Sequence, residues 1–179
     1  MIGKRIAILL FILLLSAQAP AFPSYTLEDE SQGLSDFAQF KDSLSGVVEF
    51  TDLKLGFADD IEVRVRHLVH PSTGGSVKGV CLLIPSGESS PVLLVRYIDV
   101  DELGAVLEAL RGFEERMETT KPEPDMRAYY VTRGRIGIGV KYYGKWKGIV
   151  TTDGITRTFG SRSFRKLHEL LREASDQLK

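Results

Sequence analysis

The feature that most constrains the fold is a helical apolar stripe that occurs twice, 61 residues apart. Leu103, Val106, Leu107, Leu110, Phe113 and Met117 recur every three or four positions, which places them along one face of a helix. Shifted by 61 residues, Leu103 falls on Phe164, Val106 on Leu167, Ala109 on Leu170, Leu110 on Leu171, Phe113 on Ala174 and Met117 on Leu178. A stripe repeated at one fixed offset implies two similar structural units rather than one long irregular fold.

What precedes each stripe strengthens the repeat. In the first unit, GVVEFTDLKLGF alternates imperfectly and reads as a strand with a bulge. In IEVRVRHLVH, Ile61, Val63 and Val65 share one face, and Glu62, Arg64 and Arg66 the other. SVKGVCLLIP and PVLLVRYI follow as strands, with Pro91 at the first position of the second. In the second unit RAYYVTR and RIGIGVKYY join at Gly134, KWKGIVTT follows Gly144, and Asp153-Gly154 turns into ITRTFG. Asp99 and Glu102 stand at the spacing of a capping box for the first helix, and Ser161 or Ser163 can cap the second. Leu34, Phe37, Phe40, Lys41 and Leu44 predict an additional short amphipathic helix ahead of both units.

The reading is therefore an α+β domain of two ββββα units, about 46–118 and 127–179, joined by a Pro-containing linker at 119–126. Four antiparallel strands and one helix leave apolar surface that a second unit can cover, so the units are expected to share a core. In its order of elements the chain resembles the ββββα-ββββα arrangement of Whirly and PUR-type single-stranded nucleic-acid binders. That likeness covers nearly all of the chain after the leader. It implies a sheet-and-helix fold with single-stranded nucleic-acid binding as one functional alternative; it carries no motif that transfers residue roles.

Residues 1–21 read as a secretory signal peptide: Lys4 and Arg5, an apolar run at 6–15, then small residues at Ala17, Ala19 and Ala21. The run is too short to span a bilayer core. Residues 22–179 are expected to form a single secreted or periplasmic domain, beginning with a tail at 22–26 and a solvated acidic run at Glu28-Asp29-Glu30. Cys81 is the one cysteine, so an intramolecular disulfide is excluded, and its apolar surroundings read as core.

The formal net charge of −1 hides a division. Residues 22–126 hold 9 Lys and Arg against 20 Asp and Glu, whereas residues 127–179 hold 12 against 4. Either the basic half presents a binding surface, or the halves pack and neutralise each other. The basic half also holds aromatic residues. Arg135, Gly137, Gly139, Lys141 and Tyr143 alternate with Ile136, Ile138, Val140 and Tyr142, and glycines on a strand face permit close approach of a flat or anionic ligand, or close packing of another sheet or helix. Arg133, Arg135, Lys141, Tyr143, Lys145 and Trp146 are the candidate ligand-binding residues.

Catalytic signatures are missing: there is no G-x-S-x-G, H-E-x-x-H, C-x-x-C or P-loop. The Asp99/Asp101/Glu102 group is explained by helix capping. His67 and His70 point to opposite faces by strand parity, which argues against a metal site; His67 is expected to be a half-buried, hydrogen-bonded ring. The expectation is an exported, non-catalytic binding or interaction domain without cofactor or metal. Its partner would be an envelope protein, an anionic glycan or a lipid headgroup. The alternatives are an enzyme working in a cleft between the repeats, and single-stranded nucleic-acid binding.

Overall fold

The computed structural model describes the backbone of Leu27–Glu28 and residues 35–87 and 93–179. The proposed leader, the tail at 22–26 and Pro91 lie outside those residues. The elements are β1 (Leu27–Glu28), α1 (Asp36–Ser43), β2 (Glu49–Ala58), β3 (Ile61–His70), β4 (Gly75–Pro85), β5 (Leu93–Asp99), α2 (Val100–Thr119), β6 (Arg127–Val131), β7 (Gly137–Tyr142), β8 (Trp146–Thr152), β9 (Ile155–Gly160) and α3 (Ser161–Gln177). The two long helices begin at Val100 and Ser161, so the sequence offset of the stripes is also the offset of the helices.

Strands β2 to β5 form an antiparallel meander, with the expected bulge of β2 falling between Lys54 and Gly56. The two-residue β1 adds to its edge, parallel to β5. Glu28, expected in a solvated tail, thus has its backbone in a strand. Strands β6 to β9 form a second four-stranded antiparallel sheet. The architecture is α+β, with two ββββα units and an earlier short helix.

One apolar core serves both units. Val63, Val65, Val80, Leu82 and Ile98 of the first sheet meet Ile138, Val140, Val150 and Phe159 of the second, with Leu103, Val106 and Leu110 of α2 between them. From α3, Phe164, Leu167, Leu170, Leu171 and Ala174 all point inward, as the stripe requires. Burying that face contributes on the order of 10 kcal/mol before conformational entropy is charged against it. The interior of the seam between the repeats is filled by these apolar side chains, while at its surface, between α2 and α3, a depression of about 220 Å³ is lined by Glu114, Arg165, His168, Glu169 and Arg172.

A smaller cluster lies on the other face of the first sheet, under α1. Phe37 is fully buried and stacks on Tyr97 at 4.2 Å between ring centroids. Gly79 makes room for it, because a Cβ there would come within 2.9 Å of the Phe37 ring. Cys81 is buried in this cluster, as its surroundings indicated.

The capping box is not formed. Asp99 is in position before α2 but makes no side-chain cap there. Its carboxylate turns to α1, accepting hydrogen bonds from Ser35 Oγ at 2.8 Å and from the Asp36 and Phe37 backbone N–H groups at 3.0 Å each. Glu102 instead accepts the backbone N–H of Arg133 at 2.9 Å. Long-range partners capture both carboxylates. The second helix is also capped differently from expectation: Gly160 is its N-cap, and neither Ser161 nor Ser163 supplies a side-chain cap.

His67 differs too, since its Nε2 is buried with no hydrogen-bond partner among the described residues. Thr51 and Lys78 stand opposite it in the register, and neither reaches that nitrogen. His70 faces the other way and bonds Ser45 O at 3.1 Å. Among the described residues no helix is long and apolar enough to cross a membrane.

Candidate functional site

The strand register of the second sheet separates the basic half into two groups with different fates. The first group lies at the seam. Arg133, in the β6–β7 turn, pairs with Asp99 at 3.2 Å and Asp36 at 3.5 Å, and also with Asp101 and Glu102. Burial pushes its pKa down, but the charges of Asp99, Asp101 and Asp36 together with the bond to Asp101 outweigh it, so its pKa is raised. Asp36, Asp99 and Asp101 bring ligand atoms close together, and the Arg133 side chain supplies the positive charge at that cluster. Arg157 pairs with Asp60, Arg165 with Glu118 at 2.8 Å, and His168 with Glu114 at 3.1 Å. Arg157 and Arg165 thus join cations of the second half to carboxylates of the first, and His168 adds a hydrogen bond between the halves.

One pair runs the other way. Arg96, 3 % exposed, reaches from β5 to Asp153 in the β8–β9 turn at 2.5 Å and also bonds Thr152 Oγ1. Burial pushes the Asp153 carboxyl up, but the bonds from Arg96 and Thr152 and the nearby charges of Arg96 and Arg135 outweigh it, so its pKa is lowered. Arg135 itself takes a left-handed turn conformation, φ 58°, rather than extending β7. It therefore leaves the strand face to which the alternation assigned it.

The second group lies at the opposite end of β7, six residues or about 20 Å along the strand. Register pairs Arg127 with Lys141 and Lys141 with Lys147, so three cations form a row across β6, β7 and β8. Lys147 in turn stands beside Gly160 on β9. The row is on the outer face of the sheet, with Tyr129, Val131, Thr156 and Thr158, and that face of the four strands carries no Asp or Glu. Like charges in directly opposed positions disfavour the sheet. Among the described residues, Arg127, Lys141, Lys145 and Lys147 take part in no ion pair. Tyr143 and Lys145 occupy the β7–β8 turn, and Tyr143 is 72 % exposed.

Trp146 lies on the inner face, packed edge-on against Tyr142 with 5.5 Å between centroids, and so supports this hairpin from below. Beside it a depression of about 320 Å³ opens at the end of the β8–β9 pair, lined by Lys145, Trp146, Lys147, Thr158, Phe159, Gly160 and Ser161. Helix α3 starts there, with no acidic residue in its first turn.

The glycine pair makes room for neighbouring strands of its own sheet. A Cβ on Gly139 would collide with the backbone of Ala128 and Tyr129, and one on Gly137 would lie 3.4 Å from the Tyr129 ring. The space above these glycines is taken by Tyr129 and its neighbours.

No protein-family model matches the chain, and no curated protein is similar to it. Its function is to be argued from this surface alone. Of the six residues the sequence singled out, Lys141, Tyr143, Lys145 and Trp146 are brought together at the β7–β8 hairpin, while Arg133 and Arg135 are at the far end. Arg127, Lys147, Thr158 and Ser161 complete the surface. The period-two alternation already assigned Lys141 to the right face; only cross-strand pairing could add Arg127 and Lys147 to it.

Proposed function

We propose that the protein is a non-catalytic binding module, exported through its leader, that holds an anionic partner on the outer face of its second sheet. The observation that carries this reading is the row Arg127–Lys141–Lys147, three aligned cations on a face without a carboxylate. Several of the other cations of the basic half neutralise the acidic half across the seam; these remain available. Attraction by such a patch is long-ranged at low salt and screened as salt rises.

Retention on an immobilised polyanion at low ionic strength tests the reading. The double variant Lys141→Gln/Lys147→Gln is expected to elute at clearly lower salt than the parent. Lys166→Gln/Lys179→Gln, with the same net charge but altered on α3 and just beyond its end, is expected to elute close to the parent. Equal displacement of the two variants would show that net charge alone governs retention and remove the proposed face. Detection of the mature protein outside the cytoplasm, with the leader cleaved near residue 21, tests the localisation.

A further inference from the structure

Resting on that reading, we infer that the anionic partner is a linear polyuronate, an acidic glycan with one carboxylate per sugar ring, lying across the strands from β6 towards β9. Three observations support this choice.

The first is spacing. The cations stand one per strand, and neighbouring strands are about 4.8 Å apart. That interval is close to the length of one sugar ring, so successive uronate carboxylates can meet Arg127, Lys141 and Lys147 in turn. The second is shape. Beyond Lys147 the row does not continue onto a flat surface but reaches the depression lined by Lys145, Trp146, Thr158 and Ser161. A concavity of about 320 Å³ suits one ring of a chain, with the two hydroxyls and the ammonium groups as partners for its oxygens. The third is the distribution of aromatic rings. A single nucleic-acid strand is held by rings that stack successive bases. Here Tyr129 lies against Gly137 rather than along the cation row, and Tyr143 is in the turn beyond it. Two exposed rings on opposite sides of the cation row can each stack on a sugar face but do not form a succession of platforms along it.

Trp146 is the chain's only tryptophan and lines the depression, so its fluorescence reports locally on occupancy. Titration of the full mature chain with oligogalacturonates of increasing length is expected to change that fluorescence. Affinity should rise with length and level off near four rings, one for each cation of the row and one for the depression. Arg127→Gln, an exposed edge position, and Lys141→Gln/Lys147→Gln are each expected to weaken binding about tenfold or more, as loss of a charge-assisted contact does. Thr158→Phe fills the depression without changing charge; it is expected to reduce the affinity of longer oligomers to that of the trimer. Circular dichroism of every variant must match the parent, and Arg127→Gln is decisive if the double variant does not fold.

Anionic phospholipid vesicles and oligothymidylate serve as the contrasting ligands. Binding to either, lost in Arg127→Gln, with no response to oligogalacturonate overturns the glycan assignment and leaves the anionic-face reading standing. Absence of binding to all three at low salt overturns both.

Discussion

Replacing Asp99 by alanine is the sharpest test of how α1 is held against the first unit. The Asp99 side chain is 4 % exposed, accepts three hydrogen bonds from the start of α1 and lies 3.2 Å from Arg133. If it were only the N-cap of α2, its loss would cost about 1 kcal/mol, and asparagine would replace it without penalty. The observed geometry demands more. Removing the carboxylate leaves the Asp36 and Phe37 N–H groups and the Ser35 hydroxyl without their acceptor, and hydrogen bonds to a charged group are worth about 1.5–3 kcal/mol each. The exposed side of α1 can rehydrate in part, and Arg133 keeps Asp36, Asp101 and Glu102. A net loss of about 3 kcal/mol is therefore expected. With a urea m-value of about 2 kcal/mol/M, the unfolding midpoint falls by about 1.5 M. Asp99→Asn keeps the shape and one acceptor oxygen but not the charge, and should lose about half as much. Equilibrium urea unfolding followed by circular dichroism measures both. A cost near 1 kcal/mol for alanine together with none for asparagine would refute the inter-element role and restore the simple cap.

Acid sensitivity follows from the carboxylates held by arginines. Burial raises the Asp52 and Glu62 carboxyls, but hydrogen bonds from Arg66 and Arg64 to Asp52, and from Arg64 and Lys54 to Glu62, win, so both titrate below their ordinary values of 3.8 and 4.5. With Asp153 also lowered, the unfolded chain binds more protons in this range. Stability is expected to be level above about pH 5.5 and to fall as pH drops below about 4.5, with a shallower fall in Asp52→Asn; thermal melts across pH 3–7 check this. Gly139→Ala, whose Cβ would meet backbone atoms of β6, should cost about 1–3 kcal/mol by overpacking, measured in the same urea assay. Asp153→Asn removes the carboxylate 2.5 Å from the buried Arg96 guanidinium and is expected to destabilise by about 3 kcal/mol. Adding Arg96→Met to it should recover part of that loss, and a strictly additive double variant would contradict the coupling.

Local periodicity made much of the fold legible. The stripe of α3 named its five inward residues, and the alternation of β3 and β7 named their core faces, because side-chain direction in regular structure depends only on position along the element. The β2 bulge and the β8–β9 turn were legible for the same local reason. The errors came where a local rule met a stronger distant partner. Asp99 and Glu102 have the spacing of a capping box, yet α1 and the Arg133 backbone claim them. Arg135 fits the alternation of β7, yet the turn takes it out of the strand. Gly137 and Gly139 left open a bound ligand or a closely packed neighbour, and in the sheet the neighbouring strand brings Tyr129 over them.

By itself, then, the sequence determined that there are two ββββα units, where their helices lie, which side chains enter the core, and that charge is divided between the halves. Each of these depends on composition or on periodicity within one segment. Only the tertiary structure decided what that charge division means. A cation's role is set by what stands opposite it across strands and units, and the register assigns Arg133 and Arg157 to the seam but aligns Arg127, Lys141 and Lys147 on a face with no carboxylate. The three lie within 21 residues of sequence, but that they form one row depends on the register between strands, which the alternation within one strand does not fix.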